Sequence, residues 1–353
     1  MAQLFDWRRR GNASQILGQL LSNDKVFVIN PNGIAIGDGA RIDTAGFIAS
    51  SLGMSDADFL SSKLRFVAAG PGATVSNEGV IQGNGALVAL IGPRVDSSGT
   101  IASAGGSVVL AAGREVELLD AHSPNIRVKL GSDASPAQLA QVLQRGVLTV
   151  ALPDAGNAVG ASVEGGRIVL HSAGDVSVSG TLSAQNPGRT GGRIDVLGQN
   201  ITVKLTAELD ASGQSGGRIT VLAQNDALAQ GRYTANASAG AGAGGFIETS
   251  GLHTLDVTDA VVRAAGSMPG TWLLDPYNIE IVLPTVGGQN NAGQNSLAPT
   301  GDTSRILNTQ IEAALDSGVS VTINTGTLGS PGTQPGNIVI SAPVITSIGS
   351  NSK

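Results

Sequence analysis

Short alternations of apolar and polar residues, separated by Gly, Asn, Ser and Asp, run through most of this chain. The clearest is Gly165-Gly-Arg-Ile-Val-Leu170. It recurs as Gly191-Gly-Arg-Ile-Asp-Val196 and Gly216-Gly-Arg-Ile-Thr-Val221, with Gly244-Gly-Phe-Ile-Glu248 as a weaker copy, at offsets of 26, 25 and 28 residues. Each unit lays out three short runs. Ile168/Leu170, Ile194/Val196 and Ile219/Val221 form one set; Val176/Val178 and Ile201/Val203 a second; Leu182/Ala184 and Leu209/Ala211 a third, continued by Ala235/Ala237. Period-two alternation puts one side chain inside and the next outside, and the residues between runs are those that tolerate corners. Three strands per coil, repeated coil on coil, predict an all-β fold: a right-handed parallel β-helix, or three-sheet solenoid.

An earlier block has a tighter period. Gly72-Ala-Thr-Val75 recurs as Gly92-Pro-Arg-Val95 and Gly113-Arg-Glu-Val116, and Gly79-Val-Ile-Gln82 as Gly99-Thr-Ile-Ala102, at offsets of 20 or 21. The pattern divides the chain into 1–116, where the solenoid starts; 117–160, an extra-helical hairpin and helix; 161–282, regular repeats; and 283–353, a linker and further β patterning. Within the insertion, Ile126–Leu130 reads as a hairpin strand. Ser135-Pro136 followed by Ala137–Gln144 reads as an N-cap, a first-turn proline and a short helix. Nearer the start, a hairpin is expected at Asn23-Asp24, then a strand over Val26–Ile29. Beyond the Gly/Asn/Gln-rich stretch Leu283–Pro299, a helix is expected over Ser304–Leu315 and strands over Val319–Ile323 and Ile338–Ile340.

Composition agrees and removes competing classes. Of 353 residues 50 are Gly, 3% are aromatic and 14% charged, whereas 41% are hydrophobic. Disorder needs low hydrophobicity with high net charge, collagen needs Gly at every third position, and a helical protein would not carry so many glycines. Small aliphatics suit a narrow solenoid interior. A net charge of −6 argues against a general nucleic-acid partner. Zero Cys removes disulfides and thiolate chemistry. Met1–Gly11 holds an Arg8–Arg10 run with no apolar stretch after it, so no signal peptide is read in the chain as written.

Two motifs rise above the repeats. Asn30-Pro31-Asn32-Gly33 follows the Val26–Ile29 run; Pro31 fixes φ, and Asn32-Gly33 supplies positive φ for a turn. Thr271-Trp272-Leu273-Leu274-Asp275-Pro276-Tyr277-Asn278 gathers two of the few aromatics and reads as a plug over the end of a solenoid section. With Gly46-Phe-Ile-Ala-Ser-Ser-Leu52 between them, these segments resemble the filamentous haemagglutinin / high-molecular-weight adhesin family of two-partner secretion exoproteins. The NPNG stretch looks like the hallmark of that family's secretion domain, and Trp272–Pro276 like its WLLDP segment. The resemblance implies passage by the general secretory route, then recognition by a dedicated outer-membrane β-barrel transporter. It further implies a place outside a Gram-negative cell or on its surface, and a role in adhesion to a host or bacterial surface glycan or receptor. Stems of contact-dependent growth-inhibition toxins share the architecture and stand as the alternative. Only 29 residues precede Asn30, and family members carry a signal and more strands there, so a truncated secretion domain, from a mis-started or degraded gene, is expected. Asn30, Pro31, Asn32 and Gly33 serve either folding of that domain or contact with the transporter.

No catalytic constellation is expected, and no cofactor or metal. His122, His171 and His253 lie far apart in sequence without ligand spacing and read as surface residues. Asp56, Asp58 and Asp195 are isolated, and the Gly-Gly-Arg-Ile repeats lack the Gly-Lys-Ser/Thr of a phosphate loop. Arg167, Arg193 and Arg218 fall beside inward isoleucines and form an outward row. A solvated row balanced by carboxylates such as Asp195 is the expectation; a stripe for acidic glycans is the alternative. Asn12, Asn200 and Asn236 begin Asn-x-Ser/Thr triplets.

Overall fold

One column of inward side chains threads the molecule: Val26, Phe47, Val88, Val108, Ile168, Ile194, Ile219, Ile247, Trp272 and Val321, each paired in parallel register with the next. The structure is a computed structural model. It describes residues 3–6, 11–70, 72–121, 126–131, 140–151, 166–238, 242–284, 301–325 and 336–347. A second column runs Ile34, Val75, Val95, Val142, Val176, Ile201, Ala227 and Leu255. A third runs Ile42, Ile81, Ile101, Leu148, Leu182, Leu209, Tyr233 and Val262. Three columns on three parallel faces are a parallel β-helix, with coils about 4.8 Å apart. The three columns meet in one continuous apolar core. Each fully buried aliphatic there contributes on the order of 1.5–3 kcal/mol, which offsets the ordering of a chain rich in glycine.

A second apolar core lies outside the solenoid. The strands Leu87–Gly92 and Ser107–Ala112 are buried at every position. Their outward residues Leu87, Ala89, Ile91, Val109 and Ala111 pack with Phe27, Ile48, Phe66, Val116, Leu118 and Ile126. The cover is an antiparallel sheet of Leu64–Val67, Glu115–Leu119 and Arg127–Leu130, with the short helix Asp56–Leu60 capped by Ser55. Burial on both faces explains why these strands read as unbroken apolar runs rather than alternations.

Several local expectations change. The third tight copy, Gly113–Val116, leaves the solenoid: Val116 pairs with Phe66 and Leu130 in the covering sheet, and Val142 takes the position above Val95. Gln141–Gln144, the end of the expected helix, is therefore a strand of the second face. Its Val142 is drawn into the interior by the column, and residues 132–139 lie outside the described set. No hairpin turns at Asn23-Asp24. Gln19–Ile29 is one strand whose partners shift between Ser22 and Lys25, and the Asp24 amide is held by Ser22 Oγ at 3.0 Å. The two residues form a bulge at a solenoid corner. The third column continues through Tyr233 rather than Ala237. An aromatic fits because the same coil carries Ala227 and Ala229 where the neighbouring coil has Ile201 and Val203. Near the far end, Thr303–Leu307 is a strand and Asn308–Asp316 a helix. The helix packs on Val261–Arg263 and buries Ile311 and Ala314 in the place of a third-face strand.

Candidate functional site

The Asn-Pro-Asn-Gly segment is a corner between the first and second faces. The Gly33 amide donates to the Asn30 carbonyl at 2.9 Å, closing a turn with Pro31 and Asn32 at its centre. Gly33 alone of the four has positive φ, +109°. A methyl there would also lie 3.1 Å from the Thr74 carbonyl oxygen. Asn30 is 1% exposed, and its side chain is fully used. Nδ2 donates to the Asn12 carbonyl at 3.0 Å and to Ser14 Oγ at 2.9 Å, and Oδ1 accepts from the Asn32 amide at 3.0 Å. The Asn30 amide donates to Ser50 O at 3.0 Å, and the Ser14 amide to Gly33 O at 2.9 Å. Asn30 and Gly33 thus bind the first coils together from within, while Asn32 is exposed and Pro31 half-buried. The Gly46–Leu52 segment continues this joint: Ser51 Oγ donates to Ala73 O at 2.6 Å, and Leu52 enters the outer core.

The Trp272 segment is a rung, not a plug. Gly270–Leu274 pairs with Phe246–Gly251 below and Val319–Ile323 above. Trp272 is buried, with its indole N–H donating to Thr249 Oγ1 at 2.9 Å. Leu274, Asp275, Pro276 and Tyr277 are buried too, and Leu273 is half-buried on the outer face. The architecture changes only afterwards, where Asn278–Val282 joins Thr303–Leu307 and Ile338–Ile340 in a separate parallel sheet.

The arginine row stands on adjacent coils in register, Arg167 beside Arg193 beside Arg218. It is not simply solvated. Asp195 is 1% exposed and receives both Arg167, at 2.7 Å, and Arg193, at 2.8 Å. Arg167 is itself buried. Arg218 lies over the Phe246 ring at 4.1 Å and 3.5 Å from Glu248. Burial pushes the Glu248 carboxyl up, against the pull of Arg218.

Of the two described histidines, His171 is covered rather than a surface residue, and His253 lies at the surface but is held by partners. His171 is largely covered, and its Nδ1 lies 3.1 Å from Val128 O, so Nδ1 carries the proton; burial holds its pKa down. His253 stands between two carboxylates, Nδ1 2.8 Å from Asp226 and Nε2 2.9 Å from Asp302. The Asp302 hydrogen bond, aided by Asp226, raises its pKa, since only an imidazolium donates to both. His122 lies outside the described residues. Among the described residues no group of three metal-ligating side chains forms. A raised folded-state pKa means stability that is complete below the unfolded value of about 6.5 and lost as pH rises through the folded value. His253→Gln should therefore lower the melting temperature most in mild acid, with the gap to the parent chain closing as pH rises. His171, with a depressed pKa, has the opposite sign: its contribution is lost as pH falls. Melting curves from pH 5 to 8, a range that brackets the histidine value of about 6.5, check both.

Comparison with known proteins matches these features. The family model described as the TPS secretion domain covers residues 9–184. The secretion domain of HMW1 from Haemophilus influenzae is similar in structure, with a TM-score of 0.51 and 28% sequence identity over 76% of this chain and 84% of that one. The heme/hemopexin-binding protein of Haemophilus influenzae is 54% identical over 41 residues, 12% of this chain. The matched segment is only 4% of that relative's length. With the β-helix, the buried Asn30 corner and the Trp272 rung in that order along it, the chain belongs to the two-partner secretion exoproteins of the filamentous haemagglutinin / high-molecular-weight adhesin type, and residues 9–184 match their secretion domain.

Proposed function

We propose that this chain is the exported, surface-facing shaft of an adhesin-like protein. A dedicated outer-membrane β-barrel transporter passes it in extended form, and it folds coil by coil on the far side. It works by contact with a surface glycan or receptor, without catalysis. The observation that carries this reading is the Asn30 corner. Its side chain closes the first coils on one another, so it supplies the template on which later coils add. A solenoid suits such a path because each coil needs only its neighbour to fold, and folding outside the membrane opposes back-sliding.

The test is release. The full chain behind a cleavable signal peptide should reach the medium of a Gram-negative host only when a two-partner transporter is co-expressed. Equal release without the transporter would overturn the export reading. Absence of binding by the released chain to epithelial and bacterial cells would overturn the contact role.

A further inference from the structure

At the edge of the outer core, between the solenoid and its cover, lies a cavity of about 330 Å³. A missing side chain opens it. Lys25 pairs with Gly46 on the next coil, and Phe27 pairs with Ile48 two positions along. Gly46 therefore leaves a notch in the outward face between the Lys25 stem and Leu87. A methyl on Gly46 would lie 3.2 Å from Lys25 Cγ and 3.2 Å from the Leu87 carbonyl oxygen, so backbone forms the floor there. Phe27, Ile48 and Leu87 line the depth of the cavity. Phe59, on the short helix Asp56–Leu60, closes one side, with its ring edge-on to Phe27 and the centroids 5.5 Å apart. Leu64 and Ala121 complete the apolar wall.

Among the described residues Lys25 is the one charged group on the lining, and Ser62 adds a hydroxyl. Lys25 is exposed and forms no ion pair among the described residues. The acids of the cover are engaged elsewhere. Glu115 takes Arg65, Glu117 stands between Lys63 and Lys129, and Asp58 accepts from Ser55 Oγ at 2.7 Å. The Lys25 ammonium is thus left for an anion at the end of an apolar hollow. Leu60 stands at the rim, 83% exposed, and gains an apolar partner only when something enters. Apolar walls with one or a few placed polar groups are the usual make-up of a small-molecule site. Ordered water suits it poorly, since a held water needs about two to four polar partners. At about 30 Å³ for a small group the size of water, the space takes one chain of about ten carbons, not the two chains of a phospholipid.

We propose that this cavity binds a free fatty acid of medium length. Its acyl chain lies over Gly46 between Ile48 and Phe59, and its carboxylate meets the Lys25 ammonium at the mouth. The site is independent of the export and contact roles proposed above, and its loss would leave both standing.

Calorimetric titration of the full chain with decanoate, below its micellar concentration, tests it, with decylamine and vesicles of phosphatidylglycerol as comparisons. Decanoate should bind with one site per chain and more tightly than decylamine. From hexanoate to decanoate the affinity should rise about fourfold for each added methylene, as burial of the chain predicts, and level off once the space is full. Lys25→Glu should weaken decanoate about tenfold or more, as loss of a charge-assisted contact predicts, and should turn the preference toward decylamine. A purely structural effect of that change would weaken both probes alike. Leu60→Asp should weaken decanoate binding, whereas Leu205→Asp, at another exposed leucine, should change little. Both positions are on the surface, and circular dichroism checks that each variant folds. No binding of decanoate, affinity that does not depend on chain length, a preference unmoved by Lys25→Glu, or equal loss in Leu205→Asp would each overturn the proposal. Binding to the vesicles without binding to decanoate would overturn it too, by making the patch a membrane contact.

Discussion

Gly216→Ala is expected to be among the most damaging single-methyl changes in this protein. The added carbon would be driven into the Ala235 carbonyl oxygen and the Gly245 amide nitrogen and would lie 2.7 Å from the Gly245 Cα. Every one of these atoms is backbone on the next coil, so no side chain can swing aside. Relief requires the two coils to part, which breaks the parallel ladder of Arg218–Ala223 with Phe246–Gly251. The loss should exceed about 4 kcal/mol, the range of changes that force a packed backbone apart. Because each coil leans only on its neighbours, the molecule should unfold in two stages, with the damaged coils melting first. Gly188→Ala is the matched control: no atom lies within 4 Å of its added methyl, and the change should lie within about 0.5 kcal/mol of the parent. Urea denaturation followed by circular dichroism separates the two. A single transition at the parent midpoint for Gly216→Ala would show that the glycine stack is not what sets coil spacing.

The same stack explains what could be read from sequence. A repeat carries its own register, so once Ile168, Ile194 and Ile219 are aligned, the inward columns and the parallel pairing follow without any long-range information. The departures arise where a residue's partner is set by something other than the repeat. Val116 matches Val75 and Val95 in local sequence, yet it serves the outer core, because the exposed faces of Val109 and Ala111 need a cover that periodicity does not announce. Gln141–Gln144 has helix-forming composition but sits where the second face requires a strand. Tyr233 enters the interior because Ala227 and Ala229 stand on the second face of its coil where the neighbouring coil has Ile201 and Val203. At the candidate sites, the turn at Asn30–Gly33 is legible from Pro31 and Gly33. The partners of buried Asn30 are not, since Asn12 and Ser14 lie 18 and 16 positions away. The Arg167–Asp195–Arg193 cluster is visible as a row but not as a buried one. His253 and Asp302 are 49 positions apart, with no pattern to link them.

Asn30→Ala should cost about 2–4 kcal/mol, the sum of three part-buried hydrogen bonds made by a buried side chain, each worth about 0.5–1.5 kcal/mol. Asn12 O would lose its donor and the Asn32 amide its acceptor. Asn30→Asp should be worse near neutrality. A carboxylate keeps the bond from the Asn32 amide but presents an acceptor to the Asn12 carbonyl, where a donor is needed. Protonation restores one donor, so the folded-state pKa of the introduced carboxyl would be raised above its unfolded value. The folded state then binds more protons, and stability falls as pH rises through the acid range; the gap to the parent should narrow toward low pH. Asn32→Ala removes only an exposed side chain and its 3.2 Å bond to Asn30, and should cost under about 1 kcal/mol. This difference separates folding from transporter contact as the motif's role. If the corner acts by nucleating the coils, release to the medium should drop for Asn30→Ala in step with stability and hold for Asn32→Ala. Loss of release in Asn32→Ala at unchanged stability would instead make the exposed tip of the turn, Pro31 and Asn32, the surface that the transporter reads.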